Sequence, residues 1–208
     1  MSNKISVFNV QVYGIREALI RAGYPMATVV NQSMESDPRQ SEDMLRLGNT
    51  LGRSPMGHGD DKFLRQIMVS FDVLAPRYWW AQFDTYGVFT TKNSQSTMHK
   101  GKALDYDAMA NPYVDPFILA RFKDIVARYK DNPNEENLLA VKSNLPEGIR
   151  LAAGISTNYA QLKTIYYQRK NHRLPEWRGF CHWIESLPYA KQLGVTDAGK
   201  PPVVRKTC

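Results

Sequence analysis

The stretch that decides the fold is Arg77-Tyr-Trp-Trp-Ala-Gln-Phe-Asp-Thr-Tyr-Gly-Val-Phe-Thr-Thr-Lys-Asn-Ser-Gln-Ser-Thr-Met-His99, an aromatic segment that runs into a polar one. Pro76 stands in front of it, and proline suits a helix start because its missing N–H falls where no intrahelical partner exists. The pattern predicts a helix opened at Pro76 that delivers the chain to a polar loop of hydroxyl and amide groups. Trp79 and Trp80 supply apolar walls ahead of Asn93-Ser94-Gln95-Ser96, and such walls beside convergent hydrogen-bonding groups make a small-molecule pocket. A core helix followed by a surface loop would show the same local pattern. Upstream, Ile67, Val69, Phe71 and Val73 alternate with period two and read as a strand feeding the helix.

Outward from this segment the chain alternates between strand and helix signals. Ile5, Val7, Val10 and Val12 form a β-rich run, and Gly14 to Gly23 reads as a short helix stopped by glycine. Residues 31–39 read as a loop, after which Ser41 can cap a helix with the apolar stripe Met44, Leu45, Leu47 and Leu51. Gly52 to Gly59 reads as a flexible connector containing His58. On the other side, Lys100 to Pro116 fits an irregular loop or lid, followed by helices from Phe117 to Asn132 and from Glu135 to Ser143. A helix from Ser156 would align Asn158, Gln161, Ile165 and Arg169 along one face, and Pro175 opens another running to Ile184. Together these elements predict an α+β single domain over residues 1–192, with 193–208 as a flexible tail.

At 208 residues the chain can bury a substantial core, and 43% hydrophobic with 23% charged residues is ordinary for a soluble globular protein. The N-terminus lacks a long apolar run, so neither a signal peptide nor a spanning helix is expected, and a cytoplasmic location follows by default. Cys181 and Cys208 are too few for a disulfide framework, and Cys181, within Phe180-Cys-His-Trp183, reads as a small core residue. His58, His99, His172 and His182 form no compact ligand motif, so no metal is expected. The net charge of +7 favours anionic partners. The basic run Gln168-Arg-Lys-Asn-His-Arg173 lacks any helix-turn-helix, zinc-finger or RNA-recognition frame, which makes it a solvated face more readily than a nucleic-acid surface.

Arg77 and Gln82, then Asn93 and Ser96, have the spacing of the flavin-dependent thymidylate synthases, in which a helix with Arg and Gln precedes the signature RHRxxSxNExSxRY. His58 followed by Phe63 resembles the family's earlier His and hydrophobic stretch. Lys142-Ser-Asn-Leu-Pro146 resembles its Arg-x-x-Leu-Pro, the helix ending at Arg169 resembles the one closed by its Leu-Arg pair, and Glu176 falls near a further family stretch. The resemblance runs from His58 to Trp183 and points to a divergent branch of the type carried by bacteriophages. Thr85, Tyr86 and Gly87 stand where the signature has Arg-His-Arg, Ser94 replaces its Glu, Met98-His99 replaces Arg-Tyr, and one residue is inserted before Asn93.

The resemblance implies a thymidylate-synthase-complementing-protein-like domain of mixed helices with a small sheet, and a homotetramer whose active sites lie between subunits. In the family, reduced FAD carries a methylene from methylenetetrahydrofolate to C5 of dUMP, with NADPH as reductant. Arg169 matches the arginine that binds and activates the uracil ring, and is the expected catalytic residue. Arg77, Gln82, Ser94, Gln95, Ser96 and Lys142 are expected around the deoxypyrimidine monophosphate, and His58, Tyr86, Asn93, Asn158 and His172 around the FAD. Because the Arg-His-Arg group is altered, alternatives stay open: a C5-hydroxymethylating or dCMP-acting variant, a non-catalytic nucleotide-binding homologue, or a nucleic-acid binder.

Overall fold

The computed structural model describes residues 5–29, 42–55 and 58–197. In chain order its elements are β1 (Ser6–Tyr13), α1 (Ile15–Ala22), α2 (Glu42–Gly52), β2 (Met68–Pro76), α3 (Arg77–Phe83), β3 (Thr91–Ser94), α4 (Tyr106–Met109), α5 (Pro116–Asp131), α6 (Glu135–Asn144), β4 (Arg150–Asn158), α7 (Tyr159–Arg169) and α8 (Pro175–Glu185). The strands form one antiparallel sheet in the order β1-β2-β4-β3. This is the α+β arrangement of helices around a small sheet that the sequence predicts.

The period-two pattern of β2 sets the register. Val69, Phe71, Val73 and Ala75 are all buried, and β4 places Thr157, Ile155 and Ala153 opposite the first three on the same face. A slip of one residue would turn this apolar row to solvent, so the pairing is strongly specified. Against this face pack Trp79 and Phe83 of α3 and Trp177 and Phe180 of α8, with ring centroids 4.8 Å apart for Trp79 and Trp177 and 4.9 Å for Trp79 and Phe83. Such pairs add about 0.5–1.5 kcal/mol each beyond area burial. A second, smaller cluster joins Tyr106, Phe122, Ile125, Val141 and Ile149 beneath α5 and α6.

Lys163, in the middle of α7, is almost completely buried and donates to the Asp61 carboxylate at 2.6 Å and to the carbonyls of Gly52 and Ser54. Three acceptors satisfy the three ammonium protons, which is the condition for burying such a charge. Cys181 is buried as expected, and burial pushes its thiol up to about 12.

Three expectations need correction. Thr91–Ser94 is a strand where a polar loop was expected; all four residues are exposed on the sheet edge, so no apolar alternation marks them. The helix expected from Ser156 begins at Tyr159: Ser156 and Thr157 belong to β4, and Asn158 caps the helix through its side chain. The expected tail begins too early, because Leu193 and Val195 are fully buried and Thr196 nearly so. A Cβ on Gly52 would lie 2.0 Å from the Leu193 carbonyl oxygen, so this segment seats against α2 through a bare glycine. The loop at 31–39, the Ser41 cap and residues 198–208 lie outside the described residues. Among the described residues no helix is long and apolar enough to cross a membrane.

Candidate functional site

The last turn of α7 carries Arg169 to the point where α8 folds back beneath it. Its guanidinium carbon lies 4.7 Å from the Trp177 ring centroid and 5.5 Å from that of Tyr86. Nε donates to the Tyr86 hydroxyl at 2.7 Å, and Nη1 donates to Gln82 Oε1 at 3.3 Å. The Tyr86 hydroxyl in turn donates to Gln168 Oε1 at 2.8 Å, and Trp177 Nε1 donates to Gln82 Oε1 at 2.8 Å. Nη2 makes no hydrogen bond to a described residue. The result is a half-buried cation of fixed plane, with one edge unpartnered among the described residues.

His172 follows closely, its ring centroid 6.2 Å from that of Trp177. Burial, then the charges of Arg169, Arg173 and Arg178, hold its pKa below the usual histidine range. The neutral ring accepts a hydrogen bond at Nδ1 from the Leu174 amide at 3.1 Å. Packed this way, His172 faces the Trp177 side of the site.

At the opposite end of α7 a cavity of about 380 Å³ opens on the sheet face opposite the Val69, Phe71 and Val73 row, lined by Arg65, Gly87, Phe89, Thr91, Ser156 and Asn158 among others. Asn158 is 1% exposed; its Oδ1 accepts from the Gln161 amide at 2.9 Å, while Nδ2 has no partner among the described residues. Phe89 is 60% exposed with a φ of 56°, a left-handed conformation that is costly for a bulky residue, and Arg65 stacks 5.9 Å from its ring centroid. The helix N-terminus, a cation, two hydroxyls and a free amide donor give this cavity an anion-accepting character beside an aromatic wall.

A third group lies where α3 meets the α6 terminus. Arg77 Nη1 donates to the Leu145 carbonyl at 2.7 Å and pairs with Glu147 at 3.4 Å, while Lys142 Nζ donates to Thr97 Oγ1 at 2.6 Å. Burial, then the nearby Arg77 charge, holds the Lys142 pKa below its usual value. Two cations thus sit close together next to the 94–97 segment.

The expected residues divide among these places. Arg169, Gln82 and Tyr86 come together, with His172 at the flank; Arg77 and Lys142 come together; Asn158 lines the cavity. Ser94, Gln95 and Ser96 do not converge into a cradle within the chain. Ser94 pairs with Ala153 in the ladder, and Gln95 extends it by donating its amide to the Ala152 carbonyl and accepting from the Ala152 amide at 2.8 Å. Ser96 Oγ accepts from the His99 amide at 3.1 Å. Asn93 is exposed opposite Gly154, and His58 is exposed ahead of the 3-10 helix Asp60–Gln66. The expected polar row on α7 is instead half core: Ile165 is fully buried and Gln161 Nε2 donates to the Tyr86 carbonyl at 3.4 Å. Sequence reading missed Trp177, Arg65, Phe89 and Ser156. Only Phe89-Thr90-Thr91, an aromatic followed by two hydroxyls just past Gly87, carried a local signal for the cavity.

With this geometry established, comparison with solved structures is informative about the fold. The chain is similar to the flavin-dependent thymidylate synthase ThyX from Helicobacter pylori complexed with FAD and dUMP, with a TM-score of 0.66, 12% identity and coverage of 92% of this chain and 97% of that one. A second structure of the Helicobacter pylori enzyme with FAD and dUMP gives 0.63, 13%, 92% and 96%. The UMP/dUMP methylase PolB from Streptomyces cacaoi, bound with 5-Br dUMP, gives 0.62, 14%, 92% and 93%. No family model and no curated protein matches the sequence. The protein therefore has the fold of the flavin-dependent thymidylate synthases, at 12–14% identity to these three structures.

Proposed function

We propose that this protein is a flavin-dependent enzyme that methylates a deoxypyrimidine monophosphate at C5, converting dUMP to dTMP. The observation that carries the reading is the Arg169 guanidinium, stacked on Trp177, held in plane by Tyr86 and Gln82, and left with Nη2 unpartnered among the described residues. Reaction at C5 requires an electron-rich ring, and a cation at the C2 or C4 oxygen stabilises the charge that develops there. The helix dipole alone would favour an arginine at this terminus, but it would not require a planar clamp from three side chains. Arg77 and Lys142 supply the second cationic group that the monophosphate needs.

The cavity at the start of α7 suits the cofactor. The Asn158 amide nitrogen, which has no hydrogen-bond partner among the described residues, the Arg65 cation, and the Thr91 and Ser156 hydroxyls match phosphate and ribose oxygens, and Phe89 matches a flat ring. FAD bound there would supply the redox and one-carbon carrying capacity of the reaction, with methylenetetrahydrofolate and NADPH as co-substrates by the resemblance of the sequence motifs to the family. This chain's residues hold and orient: Arg65 and Asn158 bind, Phe89 walls the cavity, and Arg169 polarises the base. A homotetramer of the phage-type branch belongs to the same reading. Within the basic run from Gln168 to Arg173, Gln168 accepts from Tyr86, Arg169 is clamped and Lys170 pairs with Asp197 at 2.5 Å, which weighs against a nucleic-acid surface.

One observation favours a second reading. Thr85 Oγ1 donates to the Gln82 carbonyl at 2.7 Å and Tyr86 faces Arg169, so neither offers a guanidinium to a flavin phosphate. That supports weaker flavin binding, as in a C5-hydroxymethylating or dCMP-acting variant or a non-catalytic nucleotide-binding homologue. Titrating the protein with FAD, then assaying dUMP and dCMP with methylenetetrahydrofolate and NADPH, separates these. Bound flavin with formation of dTMP from dUMP supports the first reading. Nucleotide binding with neither flavin nor turnover supports the non-catalytic one. A Cβ on Gly87 would meet nothing nearer than 3.8 Å, so Gly87→Arg is sterically open and should tighten FAD binding.

A further inference from the structure

Tyr86 is 6% exposed, and its one hydroxyl proton is given to Gln168, leaving its oxygen to accept from Arg169 Nε. Its backbone carbonyl accepts from Gln161 two turns earlier on the same helix. The 3-10 turn Asp84–Tyr86 is thereby fastened to α7 at two levels. Three contacts fix the guanidinium: Tyr86 at Nε, Gln82 at Nη1 and the Trp177 ring beneath its face. Two in-plane bonds and one stacking surface determine both the plane of the group and its rotation within that plane. Deleting the Tyr86 bond leaves Gln82 as the sole in-plane restraint, and the guanidinium can then turn about that contact.

We infer that Tyr86 is a positioning residue, whose hydroxyl acts through Arg169 Nε to aim the free Nη2 edge at the pyrimidine. This differs from the cofactor contact expected at its position, and it rests on the reading of Arg169 as the group that meets the base. Tyr86→Phe keeps the ring in its aromatic packing, 6.4 Å from Phe83 and 5.9 Å from Trp177 between centroids, and removes only the oxygen. The variant should fold, yet lose the order of the cation.

The test joins a ligand-free measurement to a binding one. In the ligand-free protein, the Arg169 Nε–H resonance should exchange slowly with solvent, and Tyr86→Phe should abolish that protection. Affinity for dUMP, measured by calorimetry, should fall about tenfold in Tyr86→Phe, the order expected for losing a hydrogen bond to a charged group. The same change made in an Arg169→Ala background should cause no further loss, because Tyr86 acts through the arginine. Unchanged Nε–H exchange in Tyr86→Phe overturns the inference, and so does a loss of FAD affinity that persists in the Arg169→Ala background. If the wild type binds no dUMP while Tyr86 still protects Nε–H, the nucleotide reading fails and the positioning of Arg169 by Tyr86 stands.

Discussion

Gln82 accepts a hydrogen bond from Trp177 across 95 positions of sequence, its Oε1 lying 2.8 Å from the indole nitrogen, and the same oxygen accepts from Arg169. Trp177 is fully buried, so the indole N–H has no access to water if this acceptor is removed. Gln82→Leu should therefore destabilise the fold by about 1–3 kcal/mol, measured by urea denaturation. Gln82→Glu retains the acceptor and places a carboxylate beside Arg169. That variant should keep its melting temperature while its dUMP affinity falls by about tenfold, since the cation is now neutralised from within; about 1.4 kcal/mol suffices for that factor.

Lys163 and Asp61 form a buried pair with side-chain exposures of 4% and 11%. Removing one partner leaves the other charge in a poorly solvating site, so Lys163→Met should cost about 3–5 kcal/mol of unfolding free energy. Adding Asp61→Asn to that variant removes the stranded charge and should recover part of the loss. A double change as destabilising as the sum of the two singles would mean that the pair is uncoupled.

These contacts mark the limit of what the sequence discloses. The alternation of Val69, Phe71 and Val73 and the proline at position 76 mark β2 and α3, because their cause is local: one buried sheet face and one missing N–H. β3 is illegible because Thr91-Lys-Asn-Ser94 buries nothing, and its strand character comes from the β4 edge alone. Leu193 and Val195 lie among glycine and prolines that look like a tail, yet Gly52 makes room for them 141 positions away from Leu193. Within the site, Arg169 and Gln82 stand out through family spacing, whereas Trp177 shows only as an aromatic on a helix. Its role depends on α8 folding back beneath Arg169, which no local pattern encodes.

His172 provides a pH signature. Its folded-state pKa is held below the unfolded value of about 6.5 by burial and by Arg169, Arg173 and Arg178. The unfolded chain therefore takes up the proton first as pH falls, and stability rises with pH between the depressed pKa and about 6.5. The contribution is complete above that window and is lost on acidification through it. His172→Gln should flatten this part of the stability profile measured by thermal melts from pH 5 to 7.5. An unchanged slope would assign the acid sensitivity to the carboxylates.

Phe89 separates binding from stability. Its φ of 56° strains a bulky side chain, and with 60% of its surface exposed the ring contributes little burial to the fold. Phe89→Gly relieves the backbone strain of about 1–2 kcal/mol but adds chain entropy to the unfolded state, so stability should move by less than about 1 kcal/mol. Phe89→Ala keeps the strain and should not gain stability. Both variants strip the aromatic wall beside Arg65 and Asn158, and both should weaken FAD binding in a fluorescence titration. Equal loss of affinity in the two, with stability preserved in Phe89→Gly, is the outcome expected of a ring held in a strained conformation for its ligand. Undiminished FAD affinity in both variants would move the cofactor away from this cavity, leaving the Phe89 strain without a binding role.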